Sequence, residues 1–230
     1  MKALASSSFL QRHLWSLSLS VVSALCFAQL ASELGEGELT PFDAAVGGAV
    51  ARWRGSADAV MLGLTRFGNP APVFMLTIAL VGFLVAGARR REASYLALCA
   101  TCTLLLNVAL KALFHRARPG LEAVYLLHMP TSFSFPSGHA MCSAGVFASL
   151  AVVTQMLGWP RPWAYLAAAG CALILLGVGL SRLYFGVHFA SDVIGGQLAS
   201  IACVSALTGW FYPRLLPGET TVEGAPLRSR

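Results

Sequence analysis

Charged side chains are scarce in this sequence. Only 11% of the 230 residues are Asp, Glu, Lys or Arg, whereas 57% are hydrophobic and the mean hydropathy is +0.69. Soluble domains usually carry about a quarter charged residues. So few charges cannot cover the surface of a folded chain of this length. The composition therefore excludes an ordinary soluble domain and indicates that a lipid bilayer is part of the solvent.

Acidic residues are fewer than basic ones, with 10 Asp and Glu against 16 Lys and Arg and a net charge of +6. This excess favours an anionic partner. The basic residues lie at the ends of apolar runs, whereas a nucleic-acid-binding surface would place them on a polar face with interleaved aromatics. We therefore expect an anionic lipid head group as the partner, and no nucleic acid.

The six cysteines lack the spacing of a zinc site. Cys99 and Cys102 have C-x-x-C spacing, but no second pair and no histidine cluster completes a set of ligands. All six lie within apolar runs, where cysteine behaves as a small hydrophobic residue. We expect them to contribute to packing, and we expect no metal and no other cofactor.

Long apolar runs make up much of the sequence instead. A membrane-spanning helix needs roughly 20 mostly apolar residues and must satisfy its own backbone hydrogen bonds. The pattern predicts an all-α integral membrane protein, with about six transmembrane helices in one bundle domain over residues 1–230. The predicted spans are Leu14–Leu30, Ala71–Ala88, Ala93–Phe114, Ala140–Trp159, Trp163–Leu180 and Ala190–Phe211. The first is expected to be an uncleaved anchor, because the sequence that follows it is a poor cleavage site.

Two segments outside these runs are more polar. Glu33–Asn69 contains Thr40-Pro41, which is typical of a helix start with Thr40 as the cap and Pro41 in the first turn. Apolar residues recur at near-helical spacing from there to Trp53. A helix lying on the membrane surface and a plain connecting loop are both compatible with this pattern. The polar stretch Pro217–Arg230 predicts a disordered tail.

Basic residues predict the orientation of the chain. The densest cluster, Arg89–Arg91, lies between the second and third spans, and Lys2 and Arg12 precede the first. Because cytoplasmic loops are enriched in Lys and Arg, both regions should be cytoplasmic and Glu33–Asn69 should face outward. With six spans the carboxyl terminus is cytoplasmic as well. We expect a multi-pass protein of the cell (inner) membrane.

The remaining polar residues fall in three clusters at the ends of predicted spans. Lys111–Pro119 ends the third span, Phe135–His139 precedes the fourth, and Ser181–Asp192 joins the fifth to the sixth. Three crossings from a cytoplasmic amino terminus place all three clusters at the outer, periplasmic face. Ionisable residues at a membrane boundary are costly and therefore indicate function.

The residue types in these clusters favour phosphate chemistry. Lys111, Arg118 and Arg182 supply three cations, and a guanidinium group matches phosphate oxygens in a bidentate manner. Ser137-Gly138 at a helix start leaves backbone N–H groups available to an anion.

The third cluster and the histidine of the second suit proton and group transfer. His188 and Asp192 are four residues apart and should share one helical face. A carboxylate there can orient the imidazole and stabilise its cation. His139 can protonate a leaving oxygen near neutral pH.

Together these clusters resemble the signature of the type-2 phosphatidic acid phosphatase superfamily, which is K-x6-RP, PSGH and SR-x5-H-x3-D. All three parts are intact and in order over about residues 93–211, the expected catalytic core. The resemblance implies a lipid phosphate phosphatase that releases a terminal phosphate from a membrane lipid phosphate or diphosphate without a metal ion. It implies that His188 becomes a phosphohistidine, that Asp192 orients it, and that His139 protonates the leaving alcohol. The phosphate-binding residues that it implies are Lys111, Arg118, Ser137, Gly138 and Arg182.

Other functions remain open alternatives. Vanadium-dependent haloperoxidases share similar motifs, although those we would compare are soluble. A membrane protein that binds or transports a lipid phosphate without turnover would not need both histidines and Asp192. A serine hydrolase built on Ser137 would lack the G-x-S-x-G elbow. A metal triad of His139, His188 and Asp192 would place the ion beside three repelling cations.

Some residues near the motifs are expected to have no chemical role. Arg116 and Arg161 are predicted to anchor to lipid head groups. His115 lies at an unspecified position of the first motif, so the motif assigns it nothing. The loop Gly120–Phe135 is expected to influence which lipid binds, but the sequence predicts neither the lipid nor the oligomeric state. Candidate substrates are phosphatidylglycerophosphate, phosphatidic acid, diacylglycerol diphosphate, undecaprenyl diphosphate and lipid A phosphates.

Overall fold

A computed structural model describes the backbone of residues 2–215 and the side chains of residue 11 and residues 13–211. The predicted disordered tail, Pro217–Arg230, lies outside the described residues. Within them the chain forms eight α-helices and no strand. The helices are α1 Lys2–Glu36, α2 Thr40–Ala51, α3 Asp58–Phe67, α4 Pro70–Ala86, α5 Arg90–Phe114, α6 Gly138–Met156, α7 Arg161–Tyr184 and α8 Ala190–Leu215.

The predicted all-α membrane architecture is confirmed. In the described part of the chain, five helices (α1, α5, α6, α7 and α8) are long and apolar enough to cross a membrane. A sixth span requires α3 and α4 together, bent by 56° at the break between them. The second predicted span is therefore only part of this unit, because α4 alone has 17 residues. The side chain of Asn69 caps α4 by accepting a hydrogen bond from Ala71 N at 3.1 Å.

The segment between the first two spans is helical and is not a plain loop. Pro41 lies in the first turn of α2 as predicted, since that position does not need its backbone N–H. Thr40 is not the cap, which corrects the prediction. Leu39 occupies the N-cap position, and the Thr40 hydroxyl instead donates to Gly37 O at 3.0 Å.

Helix α6 lies at the centre of the bundle and packs against α4, α5, α7 and α8. Its small residues permit this close packing. A Cβ at Gly145 would lie 2.6 Å from the side chain of Thr103 on α5. The hydroxyl groups of Ser143 and Ser149 donate to carbonyls of their own helix, at 2.7 and 2.9 Å. In a medium without water such internal pairing avoids the cost of an unsatisfied polar group.

The outer surfaces of the helices are apolar. Phe83 on α4 is 76% exposed and Leu173 on α7 is 72% exposed. So much exposed apolar surface would be unfavourable in water but is favourable against acyl chains. The apolar runs of the sequence therefore mark both the core and the surface that faces lipid.

The three polar clusters meet at one end of the bundle. They lie at the end of α5, the start of α6, and the turn from α7 to α8. Backbone hydrogen bonds hold the long α5–α6 connection to that turn, from Tyr125 N to Phe185 O at 3.0 Å and from Ser137 N to Asp192 O at 3.0 Å. The surface helix α2 packs on α7 and α8 at the same end.

Candidate active site

His188 and Asp192 form a buried pair beneath the turn that joins α7 to α8. His188 lies just before α8 rather than within it, so the pair is not on one helical face as the spacing suggested. Its Nδ1 is nevertheless 3.2 Å from Asp192 Oδ2. His188 is 5% exposed and Asp192 is fully buried. The backbone N–H of Phe189 also donates to Oδ2, at 2.9 Å, which fixes the carboxylate against the start of α8.

The protonation of His188 follows from these contacts. An ionised carboxylate only accepts hydrogen bonds, so Nδ1 must carry the hydrogen and Nε2 has a free lone pair. Burial lowers the pKa of His188 to about 4, although the hydrogen bond to Asp192 acts in the opposite direction. At neutral pH the imidazole is therefore uncharged, and its Nε2 carries a lone pair rather than a hydrogen.

Arg118 lies beside this nitrogen. Its Nη1 is 3.0 Å from His188 Nε2 and donates to Val187 O at 2.8 Å. Its Nε donates to Ser132 O at 2.7 Å, and the ammonium group of Lys111 donates to Phe133 O. Burial lowers the pKa of Arg118, yet the carbonyls of the α5–α6 connection hold both cations at the site.

Two buried polar atoms at this site lack hydrogen-bond partners among the described residues. They are Ser137 Oγ, just before α6, and Arg182 Nε, in the last turn of α7. The other end of the Arg182 side chain donates through Nη1 to the hydroxyl of Thr65 on α3. Buried polar groups are normally paired. Both atoms are donors, so a group rich in acceptor oxygens would satisfy them.

His139 and Gly138 begin α6 on the opposite side of this cluster. His139 interacts electrostatically with Arg182, His188, Arg118 and Lys111, which places it near all four. A Cβ at Gly138 would lie 3.4 Å from Asn107 Oδ1, an ordinary contact distance, so this position faces α5 at the site. The structure thus brings together the eight residues that the sequence predicted.

Arg116 does not have the role that the sequence suggested. Instead of anchoring to head groups, its guanidinium group bridges two carboxylates, Asp43 Oδ2 at 2.7 Å and Asp192 Oδ1 at 2.6 Å. Asp43, on α2, is only 5% exposed and was not predicted as a site residue. A single acid in the first turn of a helix is ordinarily explained by the helix dipole, so the sequence alone gave no signal of this contact.

A further network on the same side holds the α3, α5–α6 and α7 segments together. Asp58, at the start of α3, accepts hydrogen bonds from the phenol groups of Tyr184 and of Tyr125, the latter at 2.9 Å. Arg54 donates to Tyr184 O and Ala123 O, both at 2.9 Å. These contacts fix the outer loops around the site.

A cavity of about 400 Å³ lies between α2 and the α7–α8 turn. Its walls include Gly47 and Gly48 of α2 on one side and His188 and Phe189 on the other. The small residues of α2 therefore leave space directly beside His188. No group of three or more His, Cys, Asp or Glu among the described residues, those of this site included, is placed to hold a metal ion.

Three proteins with similar sequences are all named as enzymes that remove phosphate from lipids. Phosphatidylglycerophosphatase B of Bacillus subtilis (strain 168) is 34% identical over 141 residues, which cover 60% of this chain and 66% of that protein. The putative undecaprenyl-diphosphatase YbjG of Escherichia coli (strain K12) is 33% identical over 61% of this chain and 71% of its own length. Lipid A 1-phosphatase of Rhizobium etli is 32% identical over 73% of this chain and 77% of its own length.

The fold has a solved counterpart as well. The crystal structure of a transmembrane PAP2-type phosphatidylglycerolphosphate phosphatase from Bacillus subtilis matches with a TM-score of 0.75 and 28% identity, over 83% of this chain and 94% of that one. Fold and relatives together define the class, which is that of membrane-embedded lipid phosphatases. The sequence model of the PAP2 superfamily matches residues 92–215, and the chain belongs to that family. Its named relatives are enzymes, which disfavours a non-catalytic binding or transport protein.

Proposed function

We propose that this protein hydrolyses the terminal phosphate of a membrane lipid phosphate or diphosphate, through a phosphohistidine at His188 and without a metal ion. The observation that carries the proposal is that two buried donors, Ser137 Oγ and Arg182 Nε, have no partner among the described residues, while the hydrogen of His188 on Nδ1 leaves Nε2 unprotonated. Arg118 Nη1 donates to this Nε2 at 3.0 Å and would turn to a phosphoryl oxygen when the lipid binds. Phosphoryl oxygens would accept from both donors. Arg118 and Lys111 would supply further positive charge, and Gly138 would leave backbone N–H groups accessible at the start of α6.

In the first step, the Nε2 lone pair of His188 forms a bond to phosphorus as the bond from phosphorus to the departing oxygen breaks. Protonated His139 donates its proton to that oxygen, so that a lipid monophosphate substrate leaves as an alcohol and a lipid diphosphate substrate leaves as a lipid monophosphate. The phosphorylated imidazole is cationic, and Asp192 at 3.2 Å from Nδ1 stabilises that charge.

In the second step, a water molecule attacks phosphorus and the bond from nitrogen to phosphorus breaks. His139, neutral after the first step, accepts the proton of the water and returns to its initial state. Inorganic phosphate leaves and His188 is again neutral. The two steps consume one water molecule and release one inorganic phosphate together with the lipid alcohol, or with the lipid monophosphate when the substrate is a diphosphate.

Positive charge for both transition states would come from the protein. Lys111, Arg118 and Arg182 converge on the site, and such groups perform the charge stabilisation that Mg²⁺ performs in many phosphoryl-transfer enzymes. The relatives act, by name, on phosphatidylglycerophosphate, undecaprenyl diphosphate and lipid A. We include all three lipid classes, together with phosphatidic acid and diacylglycerol diphosphate, among the substrates to be tested. We place the reaction at the outer face of the cell membrane.

The test is phosphate release from a panel of these lipids in detergent micelles. His188→Ala should lower turnover by at least ~10³-fold, because it removes the covalent route. His128→Ala is the matched control, since His128 is an exposed histidine of the α5–α6 connection. Labelled substrate should give an acid-labile phosphoenzyme in the wild type and none in His188→Ala. Acid-stable label on Ser137, or halide oxidation with vanadate in place of phosphate release, would overturn the proposal.

A further inference from the structure

Asp43 connects the surface helix α2 to the start of α8. Its Oδ1 accepts from the backbone N–H of Ser191 at 2.8 Å, and its Oδ2 accepts from the Ser191 hydroxyl at 2.6 Å. Ser191 is the second residue of α8, where backbone N–H groups have no partner within the helix. Asp43 therefore caps, from another helix, the helix that carries Asp192. A carboxylate there is also favourably placed in the helix dipole.

Arg116 connects Asp43 to Asp192. Its Nη2 donates to Asp43 Oδ2, while its Nη1 donates to Asp192 Oδ1 and, at 2.7 Å, to the Ser191 hydroxyl. The guanidinium group lies 4.2 Å from the centre of the Phe189 ring, which restricts it further. The planar fork of arginine holds two carboxylates at fixed geometry through two separate nitrogens, whereas the donors of an ammonium group all lie on one nitrogen and rotate freely.

The two oxygens of Asp192 consequently have different partners. Arg116 occupies Oδ1, and Oδ2 is directed to Nδ1 of His188 and to Phe189 N. The terminal torsion of an aspartate is intrinsically broad. A strong bond on the far oxygen therefore fixes the plane of the carboxylate and, through it, the direction of the imidazole.

We propose that Arg116 and Asp43 are positioning residues of the phosphatase reaction, with Arg116 fixing the carboxylate of Asp192 and Asp43 fixing Arg116 and the start of α8. The inference rests on the proposed roles of His188 and Asp192. Neither Arg116 nor Asp43 belongs to the specified positions of the three motifs. Helix α2 is thereby part of the catalytic apparatus rather than a connecting segment.

The first test separates turnover from binding. Arg116→Gln and Asp43→Asn should each lower kcat by about 10- to 100-fold, because loss of orientation raises the barrier of the chemical step. KM should remain within about threefold of wild type, because the phosphate-binding cations are untouched. Arg52→Gln and Glu38→Gln are the matched controls, since both residues are exposed, flank the same helix and lose the same charges. Both controls should keep the wild-type kcat.

The second test uses the pH profile of kcat/KM. The charged or titratable groups around His188 are Asp192, Arg118, Arg182 and His139, with Arg116 behind Asp192. Arg116→Gln removes a cation, and this loss favours protonation of His188. The acid limb of the profile, where kcat/KM falls as His188 is protonated, should therefore move to higher pH. Asp43→Asn removes an anion and should not move that limb upward. An acid limb that stays at the wild-type pH in Arg116→Gln would contradict contact of Arg116 with the His188–Asp192 pair in the working enzyme.

If a variant does not fold, a more conservative substitution at the same position tests the same contact. Arg116→Lys keeps the charge but presents all its donors from one nitrogen, which does not reproduce the two-armed contact with Asp43 and Asp192, so its kcat should lie between those of wild type and Arg116→Gln. Wild-type kcat in both Arg116→Lys and Arg116→Gln would overturn the inference, as would equal losses in the controls. If His188→Ala releases phosphate as fast as wild type, the proposed function itself fails. If His188→Ala alone is inactive, only the positioning roles fail.

Discussion

The hydroxyl of Ser134 donates a hydrogen bond to Asp192 Oδ2, the same oxygen that faces Nδ1 of His188. Ser134 immediately precedes Phe135 and is fully buried, and its backbone N–H donates to Arg116 O at 2.8 Å. Together with His188 Nδ1 and the backbone N–H of Phe189, Ser134 is the third donor on this oxygen, and each added donor lowers the share of negative charge that the imidazole experiences. Ser134 Oγ also lies 3.3 Å from His188 Nδ1 and so contacts both members of the pair.

Ser134→Ala should therefore make His188 easier to protonate. In the wild type, burial lowers the pKa of His188 to about 4, so an acid limb governed by this group lies below the ordinary value for histidine. Without the hydroxyl of Ser134, Asp192 stabilises the protonated ring of His188 more strongly. The pKa of His188 should then rise, and the acid limb should move to higher pH. The measurement is kcat/KM against pH in micelles, and a limb that moves to lower pH would contradict the assignment. The free energy of unfolding should fall by about 1 kcal/mol through the lost hydrogen bond.

Arg182→Lys should impair phosphate binding and turnover. Arg182 is 3% exposed, donates to Thr65 through Nη1 and has its Nε unpartnered among the described residues. A lysine cannot bond both Thr65 and the phosphate in the way that the two ends of the guanidinium group can. We therefore expect kcat/KM to fall by about 100-fold, or about 2.7 kcal/mol of transition-state stabilisation. Arg161→Lys, at an exposed position at the start of α7, is the control and should have no effect. Equal activity of Arg182→Lys and Arg161→Lys would contradict the assignment of Arg182 to the phosphate site.

Gly196→Ala should disturb the contact between α8 and the start of α6. A Cβ at Gly196 would lie 3.0 Å from Ser137 O and 3.3 Å from Met141 N, both backbone atoms that cannot turn away. We expect a loss of about 1–3 kcal/mol in the free energy of unfolding, together with lower turnover, because Ser137 would shift. Gly82→Ala on α4 is the matched control, since nothing lies within 4 Å of its added methyl group. Thermal unfolding in detergent would measure both, and a stable, fully active Gly196→Ala would contradict the prediction.

Excess EDTA should leave activity unchanged, and vanadate should inhibit by imitating five-coordinate phosphorus. The physical reason is that lysine and arginine already supply the positive charge of the site. Phosphate release after extended dialysis against chelator is the measurement. Loss of activity with recovery on adding a divalent ion would contradict it.

Glu122, in the α5–α6 connection, should be accessible from outside the cell. We propose this loop to be outside and the Arg89–Arg91 loop inside, as three crossings from a cytoplasmic amino terminus would place them if α3 and α4 form one span. A cysteine introduced at Glu122 should react with an impermeant thiol reagent in intact cells, whereas one at Arg90 should react only after lysis. The reverse pattern would invert the topology and move the reaction to the cytoplasm.

Local sequence determined the helices and the identity of the motif residues. Apolar runs predicted α5 and α8 to within a few residues, because a helix in hydrocarbon is decided by composition and length alone. The interval between His188 and Asp192 predicted their contact, although the turn before α8, not a shared helical face, produces it. Family resemblance then supplied chemical roles that spacing alone does not contain.

Tertiary structure decided which neighbouring residues serve which purpose. Arg116 and Arg118 are two positions apart and chemically identical, yet one bridges Asp43 and Asp192 while the other lies against His188 Nε2. Asp43 and Arg116 are 73 positions apart, and no local periodicity encodes a contact between a surface helix and the end of a span. The same holds for α3 and α4, which pass as a membrane span only together and are bent by 56° at the break between them. Sequence determines what is locally favourable, whereas the direction of each long polar side chain is settled only when the helix ends are brought together.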